Sequence, residues 1–185
     1  MNNERKKSPR QIAHTVISRI EGEGAFTDIV LSHALQNEQL SEKDRAFINE
    51  LVRGVIRWKL YLDWIVRQLF SGKQKDMPEA VRWLLWMGLY QIEFLNVPEF
   101  AAVNESVRLC TFLKQFRWKG VVNGILRSYI RNAESITFPN TEKEPVLYLS
   151  VTTSHPVWLI ERWISAFGFE ETHKLCSANN SAPGL

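Results

Sequence analysis

SEKDRAFINELVRGVIRWKLYLDWIVRQLF, residues 41–70, is the stretch whose reading decides the fold. Phe47, Leu51 and Val55 recur every four residues, and Ile48, Val52 and Ile56 repeat the pattern one position later. That spacing is a broad apolar stripe on a helix of about 3.6 residues per turn. Ser41 stands three residues before Asp44, a capping pair with Asp where Glu or Gln is usual, and marks the helix start. One unbroken helix of this length would run about 45 Å, too long for a small compact domain. The stretch is therefore expected to break near residues 58–60 into two successive helices. Arg45, Asn49, Arg53 and Arg57, also four apart, form a mostly basic line on another face; its plain reading is the solvated side of a core helix.

Working outward, Ser8, Pro9 and Gln11 form a helix start: Ser caps, Pro takes the first helical position and Gln reaches back. Ile12, Ala13, Val16, Ile17 and Ile20 mark its buried face, and Gly22 and Gly24 end it. A second helix from about Thr27 carries Ile29, Val30, Ala34 and Leu35. On the other side, Asp76 and Glu79 around Pro78 open a helix that is apolar nearly all round, from Trp83 to Leu95. Such a helix belongs in the middle of a bundle. After Pro98, Ala102, Val103, Val107, Cys110 and Leu113 carry another helix, in which Asn104 reads as a satisfied core polar group. Residues 115–119 turn the chain into a last helix through Val122, Ile125, Leu126 and Tyr129. Residues 1–132 thus read as an all-α domain of about seven helices.

The character changes in residues 133–155, read as a linker in which VLYLSV, residues 146–151, forms a short strand. Beyond Pro156, a helix carrying Trp158, Leu159, Trp163, Ile164 and Phe167 stops at Gly168, and another runs from about Glu170. Residues 156–185 read as the truncated beginning of a second, small α/β unit, since so few elements cannot bury a core alone.

Composition narrows the function. Residues 1–133 hold 20 Lys and Arg against 14 Asp and Glu, whereas residues 134–185 hold 3 against 6. Only the first segment suits a polyanion. No run of about twenty apolar residues lacks charge, and the basic N-terminus leads into no apolar signal segment, so a cytoplasmic protein without a membrane span is expected. Cys110 and Cys176 are the only cysteines, without CxxC pairing, which argues against a disulfide framework or a zinc site. EGEG at residues 21–24 lacks a preceding strand and is a helix stop rather than a phosphate loop. No catalytic or metal-ligating constellation emerges, so the residues alone describe a helical binding module. Its basic candidates are Arg5, Lys6, Lys7 and Arg10 at the N-terminus, and Lys114, Arg117, Lys119, Arg127 and Arg131 in and after the last turn. Such charges contact phosphates with little sequence choice. The alternative for each cluster is an ordinary solvated face.

The ordered series SEKDRAFINELVRGVIRW, LDWIVRQL, LLWMGLYQIEFL, VPEFAAVNESV and GVVNGILR resembles the NusB-like N-terminal domain of bacterial ribosomal RNA cytosine-C5 methyltransferases, the RsmB (Sun or Fmu) family. YLSVTTSHPVWLIERWISAFGFEETHKLCSANNSAP is similar to the segment that opens that family's second domain. The resemblance implies an RNA-binding helical appendage, with Arg5, Lys6, Lys7, Arg10, Lys119, Arg127 and Arg131 as phosphate contacts. It also implies a parent enzyme that methylates cytosine in 16S ribosomal RNA using S-adenosylmethionine. The partners implied are ribosomal RNA and the enzyme's own downstream methyltransferase domain. Neither Cys110 nor Cys176 follows Pro or Thr as the family's active cysteines do, so this chain is expected to lack catalysis, cofactor binding and metal. Two other readings stay open: a free-standing transcription antitermination factor of the NusB type, and a helical protein-interaction module.

Overall fold

The computed structural model describes residues 7–37 and 40–181. Nine helices follow one another among them: α1 (Pro9–Glu23), α2 (Thr27–Asn37), α3 (Glu42–Arg57), α4 (Lys59–Leu69), α5 (Glu79–Glu93), α6 (Glu99–Phe112), α7 (Lys119–Asn132), α8 (Pro145–Thr152) and α9 (Val157–Asn180). No strand occurs among the described residues. The start of α1 is a reciprocal capping box: Gln11 N donates to Ser8 Oγ, and Ser8 N donates to Gln11 Oε1. Gly24 closes α1 in the left-handed region at φ 68°, which a residue without Cβ adopts freely. The long stretch breaks at Trp58, which caps α3 and opens α4, as its length requires.

The core is assembled around α5, ten of whose residues are buried, from Val81 to Gln91. α1, α3, α4, α6 and α7 all pack against it. Gly54 lets α3 lie close to α5, because a Cβ there would collide with the Tyr90 ring. The same ring's hydroxyl donates to Glu50 Oε1 at 2.7 Å. Between α4 and α5, Asp63 accepts from Arg67 Nε (2.6 Å), Arg82 Nη1 (2.8 Å) and Trp86 Nε1 (3.2 Å). His14, also buried, donates from Nε2 to the Ala80 carbonyl at 2.8 Å. Burial pushes its pKa down, and the Ala80 hydrogen bond opposes that shift.

Three sequence expectations are corrected. Asn104 is exposed; the buried polar residue of α6 is Ser106, which faces Gly88. Asp76 belongs to a short 3-10 turn, Gln74–Asp76, and the helix begins at Glu79 without a side-chain cap. VLYLSV is helical, not a strand: it forms most of α8. Its β-branched content favours a strand, but tertiary burial overrides so weak a preference. Pro145 starts the helix, and Leu149, Ser150 and Val151 are buried. The hydroxyls of Thr152 and Thr153 bond back to the Tyr148 and Leu149 carbonyls, and Ser150 Oγ donates to the carbonyl of His155.

α8 and α9 share a small core of Leu149, Ile160 and Cys176. Gly168, at φ 78°, interrupts α9 where the sequence placed a stop. This pair leans on α4: Leu60 N donates to Ser154 Oγ at 3.0 Å. The segment before it is strapped to the same helix, since Trp64 Nε1 and Gln68 Nε2 both donate to the Thr137 carbonyl.

Candidate nucleic-acid interface

The later part of α6, the turn after it and α7 hold a long acid-free run of basic residues. From residue 106 to residue 133 there are Arg108, Lys114, Arg117, Lys119, Arg127 and Arg131, and no Asp or Glu. Arg108 is tied to Glu105 at 2.8 Å. The other five make no ion pair among the described residues. By contrast, Arg53 reaches Asp28 at 2.8 Å, Lys59 reaches Glu21 at 2.9 Å, and Arg82 reaches Asp63. Two of the three arginines in the basic line of α3 are similarly engaged: Arg45 donates to the Leu35 carbonyl, and Arg53 also bonds Asn49.

On α7 the exposed residues Gly120, Gly124, Arg127 and Arg131 follow at spacings of four, three and four, which is one helix face. Asn123 Oδ1 accepts from Arg127 Nε at 3.0 Å, and the Arg127 carbonyl accepts from Arg131 Nε at 3.3 Å. Both arginines line a shallow cleft with Glu99, Phe100, Val103 and Ile130. Neither glycine has an atom within 4 Å of where a Cβ would sit, so no bulky group separates this part of the helix from an approaching ligand. Lys119 opens α7, about 12 Å along the axis from Arg127. Its ammonium lies 5.5 Å from the centroid of Phe116.

The N-terminal candidates divide. Arg5 and Lys6 lie outside the described residues. Lys7 is exposed and lines a separate cleft between α1 and α2 with Thr15, Arg19 and His33. Arg10 is engaged inside the fold: its Nε donates to Gln91 Oε1 at 2.7 Å and its guanidinium sits 4.9 Å over Phe47. Burial lowers its pKa and the nearby Glu105 carboxylate partly offsets that. Lys7 thus lines a different cleft from the one that Arg127 and Arg131 share.

Sequence reasoning missed the exposed rings here. Phe100, Phe112 and Phe116 stand open at 69%, 40% and 59% of their surface. The signal was available for Phe112, which falls off the buried stripe of Ala102, Val103, Ser106, Leu109 and Cys110. Burial pushes both cysteine thiols up, which keeps them protonated and poor nucleophiles. No group of three or more metal-ligating side chains occurs among the described residues. No helix among them is long and apolar enough to cross a membrane.

The helical bundle belongs to a known family. The NusB family profile matches residues 7–131, and the chain belongs to that family. Beyond that domain, the chain is similar to curated proteins named for the ribosomal RNA small subunit. It is 33% identical over 173 residues to the probable ribosomal RNA small subunit methyltransferase B of Bacillus subtilis, covering 93% of this chain and 38% of the relative. The corresponding probable methyltransferase of Synechocystis is 36% identical over 179 residues, covering 96% and 40%. Ribosomal RNA small subunit methyltransferase B of an Escherichia coli strain is 28% identical over 181 residues, covering 98% and 40%. The chain therefore spans about two-fifths of the length of these relatives.

Proposed function

We propose that this chain is the RNA-binding region of an S-adenosylmethionine-dependent enzyme that methylates carbon 5 of a cytosine in 16S ribosomal RNA. Its phosphate contacts are Lys119, Arg127 and Arg131, joined by Arg5, Lys6 and Lys7; Arg10 serves the fold. The observation that carries this reading is the acid-free segment of residues 106–133, five of whose six cations have no carboxylate partner among the described residues. Unpaired cations on one helix face release counterions from a polyanion when it binds, which is the main source of sequence-independent affinity. The relatives' matches run on through α8 and α9, which favours a methyltransferase over a free-standing antitermination factor.

S-adenosylmethionine does not fit the described residues. They contain no strand, and so no strand–turn–helix with a Gly-rich cradle for a nucleotide-like cofactor. The parent's methyl transfer belongs to residues other than those described.

The test is binding of a single-stranded 16S ribosomal RNA fragment, followed by fluorescence anisotropy. Arg127→Ala with Arg131→Ala should weaken binding more than Lys43→Ala, Lys73→Ala and Lys75→Ala combined, although the latter removes more charge. Equal losses would reduce the effect to net charge and remove the proposed surface.

A further inference from the structure

The turn between α6 and α7 places two open aromatic rings inside a cluster of unpaired cations. α6 ends at Phe112; Leu113 and Lys114 turn the chain, Lys114 adopting φ 57°, a conformation costly for a side chain with Cβ. Phe116 begins the short 3-10 turn Phe116–Trp118 that leads into α7. The core is already supplied at this corner, because Leu109, Cys110 and Trp118 are buried and Trp118 packs against Phe70 at 5.9 Å between centroids. Phe112 and Phe116 are therefore not spare core residues. They stay 40% and 59% exposed, four residues apart, beside Lys114, Arg117 and Lys119.

One exposed ring is ordinary. Two exposed rings among cations without acid partners have the composition that single-stranded nucleic acid selects, flat faces for bases and charges for phosphates. Duplex RNA keeps its bases stacked on one another and offers no face to such a ring. Extension of the acid-free segment through Arg127 and Arg131 supplies the charge complementarity that a protein partner with an ordinary mixed surface would not need.

We infer that this turn is a base-stacking station for single-stranded RNA, in which unpaired bases stack on Phe116 and Phe112 while Lys114, Arg117 and Lys119 hold the adjoining phosphates. This rests on the RNA-binding reading above and adds to it the class of RNA, unpaired and with accessible bases. Lys119 Nζ lies 5.5 Å from the Phe116 centroid, so as a base stacks on that face the flexible ammonium swings off it and reaches the adjoining phosphate.

The experiment compares three probes on the whole chain: an oligouridine of roughly twelve nucleotides, an abasic strand with the same number of phosphates, and a blunt RNA duplex. The expected order of affinity is oligouridine first. Phe116→Ala should lower oligouridine affinity about five-fold or more, and Phe112→Ala with it should lower it further. Both should leave abasic affinity and the salt dependence unchanged, and Phe116→Trp should restore binding. Unchanged thermal melting, expected for exposed positions, shows that the variants remain folded. Wild-type affinity equal for the oligouridine and abasic strands, or Phe116→Ala binding oligouridine as tightly as wild type, overturns the stacking station and leaves the phosphate surface standing. Failure of the wild-type chain to bind any of the three probes sinks the RNA-binding reading itself. A preference for the duplex, whose bases offer no face to a ring, overturns the stacking station and leaves the RNA-binding reading standing.

Discussion

α5 and α9 are both rich in large apolar side chains, yet they end in opposite situations. Of the fifteen residues of α5, ten are buried. α9 has twenty-four residues and buries only Ile160, Thr172 and Cys176, leaving Trp158 64% and Phe167 58% exposed. The cause is the neighbours and not the hydrophobicity. α5 lies among five helices, whereas α9 is supported mainly by the short α8. Ile160, Ile164 and Phe167 follow one helical face, but the packing partners give out before Phe167 is reached. An apolar stripe states what a helix can bury; the surrounding elements decide how much of it is buried.

The largest expected effect lies at the centre of that contrast. Leu84→Ala or Leu89→Ala, both fully buried in α5, should each destabilise the chain by about 2–5 kcal/mol in urea unfolding. Leu149→Ala, equally buried but in the small core, should instead loosen α8 and α9 locally. Hydrogen exchange should then rise in those two helices while α1–α7 keep their protection. Equal protection losses in both regions would show that the two cores unfold as one.

Next in size is the Asp63 junction between α4 and α5. Asp63→Ala leaves Arg82 and the Trp86 indole without their carboxylate partner, and about 3 kcal/mol should be lost, as when one member of a buried ion pair is removed. Arg67, on the exposed side, contributes little to that figure. A loss below about 0.5 kcal/mol would place the junction among ordinary surface pairs.

His14 gives a pH signature. Burial holds its folded pKa below the ordinary value of 6.5, so the unfolded chain binds its proton more readily. The stability linked to this group is complete above about pH 6.5 and is lost as pH falls from there through the lower folded value. His14→Gln should flatten the stability profile in that window, and an unchanged slope would exclude His14 as its source. The smallest effect is expected on α7. Gly124→Ala meets no neighbour and should stabilise α7 by up to about 1 kcal/mol.

Much of this architecture was legible in the sequence, because its signals were local. The capping residues Ser8 and Gln11, the break at Trp58, the all-apolar α5 and the stop at Gly168 each follow from periodicity or backbone preference. VLYLSV misled because its local preference is for strand while its burial against α9 and α4 makes it helical. Asn104 misled because one residue's displacement on a helix turns a core position outward. The basic residues of α7 could be named from the sequence, but that no carboxylate pairs with them among the described residues could not, since ion pairing is a long-range property. Arg10 and Arg127 look alike in a string of letters; one is locked to Gln91 and Phe47, the other faces outward from α7.

The most direct test of the central claim is the salt dependence of the whole chain's affinity for a single-stranded 16S ribosomal RNA fragment. The phosphate surface predicts a straight line of log affinity against log salt, falling by about 0.7 for each phosphate neutralised. Lys119, Arg127 and Arg131 alone would give a slope near −2, roughly additive at 0.7 each. Affinity independent of salt, or no binding at low salt, would contradict the assignment of this surface to RNA.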